Sequence, residues 1–216
     1  MLFRSRVDTY EYLSYLKKVI QKFGLQAGDK EAFIAARKAY NDKPLAKRDI
    51  KFLYALILYG FQQQIRFNSD HDFNNPSGNR WFNDCVLEKF VSFSRRIKEL
   101  YCTFTQNDFE QTLQIMRSGD FAYLDPPYRL TCGAYNDGKR GFGGWTKPHE
   151  DSLFEYMDKL DKMGVRFLFS YVQGNEEERN ENLELWLQSR PYHLIQVGEA
   201  QGRYGKRKEI LVKNYE

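Results

Sequence analysis

The apolar residues of the amino-terminal half recur at helical spacing. Tyr12, Leu13, Leu16, Val19 and Ile20 share one face of a segment from Thr9 to Phe23, which Gly24 can stop. A second helix is expected over residues 29–41, opened by Asp29 as a cap and carrying Phe33, Ile34 and Ala36. The most apolar helical run spans 47–64, with Phe52, Leu53, Leu56, Ile57, Tyr59 and Phe61. A fourth helix is expected over 84–100, with Asp84 as cap and Val86, Leu87, Phe90, Phe93 and Ile97 along one side. No strand pattern interrupts the first three of these helices.

From Tyr101 the period changes. Tyr101 to Thr105 alternates as a short strand, and Asn107-Asp108-Phe109 leads into a helix through Met116. Ser118-Gly119-Asp120 breaks that helix and feeds an apolar strand, Phe121-Ala122-Tyr123-Leu124. Thr146 and Pro148 open a helix through Met163, with Leu153, Met157 and Leu160 on one face. Val165 to Val172 is a strong strand. A turn at Gln173-Gly174-Asn175 precedes an acidic helix from Glu176 to Leu187. Strands follow at His193–Gly198 and Lys208–Tyr215, joined by a basic turn from Gly202 to Lys208. Helices first, then strands alternating with helices, predict an α/β chain.

Composition narrows the class. With 216 residues, the chain has room for one domain or a domain with a small insertion. Apolar residues make up 42% and charged residues 29%, ordinary for a globular protein. A net charge of +4 permits a polyanionic partner without demanding one. Cys85, Cys102 and Cys132 are scattered, and with His71, His149 and His193 they form no metal or triad spacing, so no metal is expected. That cysteine usage points to a reducing, cytoplasmic compartment. Met1 to Arg6 has no apolar core of signal-peptide length, and no run approaches the roughly 18 apolar residues of a membrane helix.

Two stretches carry candidate chemistry. The strand at Phe121 ends at Asp125, followed at once by Pro126, Pro127 and Tyr128. Proline fixes φ, lacks an N–H and pushes its predecessor out of the helical region, so the chain leaves Asp125 rigidly. Carboxyl ends of strands are where open α/β sheets bind ligands. There the Asp125 carboxylate and nearby carbonyls can accept protons, and Tyr128 offers a flat face. The alternative is a rigid turn with a capped carboxylate. The second stretch runs from Arg66 to Asn83 and is rich in Asn, Asp, Gly and Ser with interspersed aromatics. It reads either as a long surface loop or hairpin, or as a nucleic-acid contact segment. Residues 129–147, with five glycines among basic residues, read as a lid or as a connector.

In combination these stretches resemble the D12 class of adenine-N6 DNA methyltransferases, the Dam type. Asp125-Pro126-Pro127-Tyr128 fits the family's catalytic motif. Arg66-Phe67-Asn68 followed by Phe73-Asn74-x-Pro76-x-Gly78 is similar to its target-recognition hairpin. Asn107-Asp108-Phe109 is similar to its Asp-Phe cofactor position, on the strand before the catalytic one. Phe167-Leu168-Phe169-Ser170 and Arg207 to Tyr215 are similar to its later strands.

The resemblance implies a Rossmann-like α/β sheet of S-adenosylmethionine-dependent methyltransferases, with a mostly helical target-recognition insertion carrying a β-hairpin. It divides the chain into a recognition region, 1–100, with a DNA-contacting hairpin at about 64–83, and a catalytic portion, 101–216. It implies that Asp125 and the Pro126 carbonyl bind the target amine, with Pro127 stiffening the turn. Tyr128 would stack on a base flipped from duplex DNA, since the amine is unreachable inside the helix. Asp108, Phe109 and Asp125 would face the cofactor. Arg66, Phe67, Asn68, Phe73, Asn74, Asn75 and Arg80 would contact DNA. The family's usual opening, a strand leading to a glycine-rich cofactor loop and an acidic residue for the ribose, has no counterpart in the sequence. The expectation is therefore a split or truncated enzyme, with a second polypeptide or an upstream segment supplying that half. A non-catalytic DNA-binding remnant or regulatory subunit is the alternative, and an RNA methyltransferase the third reading.

Overall fold

The computed structural model describes residues 8–130, 144–202 and 205–216. These residues form two compact units. One comprises residues 8–106; the other begins at Asn107 and runs to the end of the chain.

The first unit is helical. Helix α1 (Thr9–Phe23) starts where Asp8 accepts from Tyr10 N at 2.8 Å, and ends at Gly24, whose φ of 62° is a conformation that costs glycine little. Helices α2 (Lys30–Asn41) and α3 (Ile50–Tyr59) are capped by Asp29 and Asp49. Helix α4 (Asp84–Glu99) is capped by Asn83, which accepts from Val86 N, one residue ahead of the expected Asp84. The unit's core is built from Leu16, Phe33, Ala36, Tyr40, Phe52 and Leu56, all at most 4% exposed.

The long third helix expected over 47–64 stops at Tyr59. Beyond it, backbone groups turn to the following loop: Phe61 N donates to Pro76 O and Gly78 N donates to Tyr59 O, both at 2.8 Å. Gly60 and Gly78 pass so closely that a Cβ on Gly78 would lie 2.6 Å from the Gly60 carbonyl oxygen. Tertiary pairing therefore overrides helical propensity here.

The second unit is a mixed α/β layer. Its strands are β1 (Phe121–Leu124), β2 (Arg166–Asn175), β3 (His193–Gly202) and β4 (Gly205–Lys213), in the order β1-β2-β4-β3. β1 and β2 are parallel, and the other pairs are antiparallel. Helix α5 (Lys147–Lys162) connects β1 to β2, and α6 (Glu181–Gln188) connects β2 to β3. Phe167, Phe169 and Tyr171 alternate inward along β2, and meet Leu153, Met157 and Leu160 of α5 and Ile210 and Val212 of β4. Asn214 ties the end of the chain to the sheet, accepting from Phe167 N at 2.7 Å and donating to Asp161 and to the Val165 carbonyl.

Several local expectations are corrected. Residues 101–105 form no strand, and Tyr101 is fully exposed. Asp108-Phe109 therefore lies on no strand; Asp108 caps a short 3₁₀ segment, Phe109–Gln114, in place of the longer helix. Gln173-Gly174-Asn175 is not a turn but the end of β2, held by pairing with Arg207 and Lys208 across a bulge. The acidic stretch after it turns because Asn175 accepts from the N–H groups of Glu177 and Glu178, so α6 begins only after Asn180. Residues 131–143 of the glycine-rich segment, and Arg203 and Tyr204 of the basic turn, lie outside the described residues. Among the described residues, no helix is long and apolar enough to cross a membrane.

Candidate active site and recognition loop

Strand β1 lies at one edge of the sheet and ends at Asp125, whose carboxylate is exposed. Pro126 and Pro127 carry the chain away and offer no N–H that would compete for that carboxylate. Tyr128 folds back: its hydroxyl donates to Asp125 Oδ1 at 3.2 Å and lies 3.4 Å from Ser170 Oγ on β2. Burial pushes the phenol of Tyr128 up. The Asp125 and Glu209 carboxylates act in the same direction, against an opposing pull from the Ser170 hydroxyl. The phenol therefore keeps its proton at neutral pH and stays a donor to Asp125.

The Tyr128 ring has neighbours on two sides. Tyr171 meets it edge-on, at 5.6 Å between centroids and 87° between planes. The Arg207 guanidinium sits 5.6 Å from its centre, held in turn by Glu209 at 2.6 Å. The sequence places Arg207 in a basic turn, for phosphate contact or solvation, and in a matching strand, and does not show Ser170, Tyr171 or Glu209 as neighbours of the motif. Cross-strand neighbours are set by register, which no local pattern encodes.

Phe109 is half-buried and packs edge-on against Tyr156 at 5.2 Å and at a tilt against Trp145 at 6.4 Å. Asp108 beside it is exposed and accepts from Glu110 N at 3.3 Å.

In the helical unit, residues 66–74 form a reduced hairpin. Phe67 and Phe73 make an antiparallel bridge, Asn68 N donates to Asp72 O, and Asn74 N donates to Arg66 O. Asn68 Oδ1 closes the tip by accepting from the N–H groups of Asp70 and Asp72. Helix α2 and the segment after it grip this loop. Both polar atoms of the Asn41 side chain pair with the Phe73 backbone at 3.0 Å, as a neighbouring strand would. Arg37 donates to Asn75 O, and Arg48 donates to Asn41 O, His71 O and Asp72 Oδ1.

The candidate DNA-contacting residues divide by this geometry. Arg66 and Arg80 are exposed, with Arg80 donating to Gln63 Oε1 at 3.0 Å. Phe67, Asn68 and Asn74 are partly buried. Phe73 is fully buried and Asn75 is 1% exposed, donating to Phe61 O. In this conformation those two are buried and hold the loop's shape. Gln62, Gln63 and His71 have φ of 50°, 56° and 62°, a left-handed backbone that non-glycine residues adopt at a cost. Such strain persists where surrounding structure over-determines the chain, often at ligand-binding segments. Arg37, Asn41 and Arg48 went unrecognised in the sequence; their polarity in and beside an amphipathic helix is also what a solvated face would show.

The profile of the D12 class N6 adenine-specific DNA methyltransferases matches residues 5–201, and the chain belongs to that family. The Modification methylase StsI of Streptococcus sanguinis is 35% identical over 210 residues, 93% of this chain and 32% of that protein. The Type II methyltransferase M.FokI of Planomicrobium okeanokoites is 33% identical over 97% of this chain and 33% of its own length. The Retron Ec67 DNA adenine methylase of Escherichia coli is 30% identical over 58% of this chain and 43% of its own. The chain thus spans about a third of the length of the first two relatives.

Proposed function

We propose that this chain is the target-reading and acceptor-binding part of an S-adenosylmethionine-dependent DNA adenine-N6 methyltransferase. The observation that carries the reading is the exposed Asp125 carboxylate at the end of β1, joined through Pro126 and Pro127 to a tyrosine that donates to it, in a chain of this family. The names of its relatives, modification and DNA adenine methylases, support the same substrate.

The chemistry needs an amine made nucleophilic. Adenine's exocyclic nitrogen has its lone pair delocalised into the ring. Two acceptors on its protons, Asp125 Oδ2 and the Pro126 carbonyl, draw that lone pair out of conjugation and aim it. S-adenosylmethionine supplies an electrophilic methyl group on a sulfonium sulfur. As the nitrogen took the methyl, the carbon–sulfur bond would break with its electron pair left on sulfur as a neutral thioether; the nitrogen would become cationic, and the Asp125 carboxylate would accept a proton from it and pass it to water. The Tyr128 ring serves as the plate against which the flipped base stacks. Held in line with the donor, the two reactants gain most of their acceleration from orientation. The half-buried Phe109 offers ring area for the donor's purine, and the exposed Asp108 and Asp125 offer acceptors. Duplex DNA is the partner, with Arg66 and Arg80 offering exposed guanidinium groups for phosphate or guanine. Phe121 and Tyr123 are 51% and 59% exposed on edge strand β1. A further strand, from a longer chain or a second polypeptide, would cover them and bring the rest of the donor pocket.

The test is transfer of labelled methyl from S-adenosylmethionine to duplex DNA, with N6-methyladenine identified by mass spectrometry of the nucleosides. Asp125→Ala is expected to abolish transfer. Undiminished transfer by that variant would sink the mechanism. DNA binding with no transfer, even when the rest of the donor pocket is supplied, would favour a non-catalytic recognition protein, and preference for structured RNA would move the substrate.

A further inference from the structure

We propose that Glu150 is a positioning residue for Tyr128, acting through Tyr171 and Arg129; the inference rests on the reading of Asp125–Tyr128 as the acceptor site. Glu150 lies in the first turn of α5, on the same face as Leu153 and Met157, and is 0% exposed. Four side chains donate to its carboxylate. Tyr171 OH and Asn180 Nδ2 reach Oε1 at 2.8 and 2.6 Å, and Asn182 Nδ2 and Arg129 Nε reach Oε2 at 2.9 and 3.3 Å.

The direction of this network is fixed by chemistry. The Tyr171 oxygen is approached by Arg129 N at 3.2 Å and Trp145 Nε1 at 3.1 Å. Both are donors only, so the phenol oxygen accepts from each and its own proton goes to Glu150. Burial, then the neighbouring carboxylate, pushes the Tyr171 phenol up, so that proton stays in place. Arg129 is the residue after Tyr128. Its backbone N–H is held by Tyr171 and its guanidinium by Glu150 and Asn180 Oδ1, the latter at 3.0 Å. The Tyr171 ring abuts the Tyr128 ring edge-on. Glu150 therefore governs the proposed base plate twice, through its successor's backbone and through the ring beside it.

Stability alone does not account for such a cluster. A buried ion pair is often matched or bettered by apolar side chains of the same volume. What the carboxylate provides is four acceptor directions in one place. A glutamine of the same shape cannot supply them. Whichever way its amide turns, its NH₂ faces either Tyr171 and Asn180 or Asn182 and Arg129, donor against donor.

The test compares the full-length wild-type chain with Glu150→Gln, Tyr171→Phe and Leu160→Ala. The last removes a fully buried side chain on the same helix, away from the network, as a control for lost stability. Methyl transfer to unmethylated plasmid DNA is measured below all unfolding transitions. Trypsin cleavage after Arg129 is followed by mass spectrometry, because a guanidinium held by Glu150 and Asn180 cannot enter the protease. For Glu150→Gln, kcat is expected to fall about ten- to a hundredfold with KM for DNA within about twofold, while Leu160→Ala keeps its kcat. Cleavage after Arg129 is expected to rise about tenfold in Glu150→Gln and to a lesser extent in Tyr171→Phe. If Glu150→Gln does not fold, Tyr171→Phe carries the comparison, with the same kcat loss expected in smaller measure. Wild-type kcat and cleavage in the folded variants, or an equal kcat loss in Leu160→Ala, would overturn the proposal. A wild-type chain that neither binds duplex DNA nor transfers methyl when the rest of the donor pocket is supplied overturns the functional reading; faster cleavage in the variants would then still establish that Glu150 fixes the 125–129 segment, and unchanged cleavage would refute it.

Discussion

Gly78→Ala probes the joint between helix α3 and the loop that follows it. The added Cβ would lie 2.6 Å from Gly60 O, 2.8 Å from Gly60 C and 2.9 Å from Phe61 Cα. All three atoms are backbone, so no side chain can swing aside. Restoring an ordinary 3.4 Å contact to the Gly60 oxygen needs a separation of ~0.8 Å, the difference of 3.4 and 2.6. That shift falls on the bonds from Gly78 N to Tyr59 O and from Phe61 N to Pro76 O, both at 2.8 Å. Losing one or both while overpacking the joint is expected to cost about 2–4 kcal/mol. The damage concentrates in the loop, so affinity for duplex DNA is expected to drop about tenfold, equivalent to ~1.4 kcal/mol. Urea denaturation followed by circular dichroism gives the first quantity and fluorescence anisotropy with labelled duplex gives the second. A variant within about 0.5 kcal/mol of wild type, with DNA affinity intact, would show that the two segments do not meet as described.

Two further substitutions test other parts of the molecule. Arg48→Met removes a guanidinium whose side chain is 9% exposed and which donates to three loop or helix acceptors besides Lys43 O. It is expected to destabilise the helical unit by about 2–4 kcal/mol and to make the segment around Asp72 exchange its amide protons faster, as read by hydrogen exchange. Asp158 concerns acid stability. Burial pulls its carboxyl up, but bonds from Arg190, Tyr192 and Trp186 outweigh that and leave it below the usual range. A lowered folded-state value means its stabilisation is present above the unfolded value of about 3.9 and is lost as pH falls through the folded one. Asp158→Asn is therefore expected to lower stability at pH 7 and to flatten the wild type's acid-side decline below about pH 4; a parallel decline in both proteins would refute the assignment.

Much of this protein was legible residue by residue. Apolar spacing located α1, α2 and α4, and Asp29 marked the start of α2, because a helix's buried face and boundaries are written within a few turns. The strand at Phe121 and its abrupt end at Asp125 were equally local, since two prolines dictate the exit of the chain. The segment from Arg66 to Gly78 stood out by its turn residues, and the family that the motifs together resemble is the one whose profile matches residues 5–201. What a local pattern does not hold is which side chains meet. The end of β2 at Asn175 depended on pairing with Arg207, and the end of α3 on the approach of Gly78 to Gly60. Phe73 and Asn75 read as contact residues, yet the loop turns them inward, where Asn41 and Arg37 secure their backbone. Glu150 sat in plain view on the apolar face of α5. Only strand register and the fold of α6 brought Tyr171, Asn180, Asn182 and Arg129 to its carboxylate, and a buried charge has no reason to exist until such partners surround it.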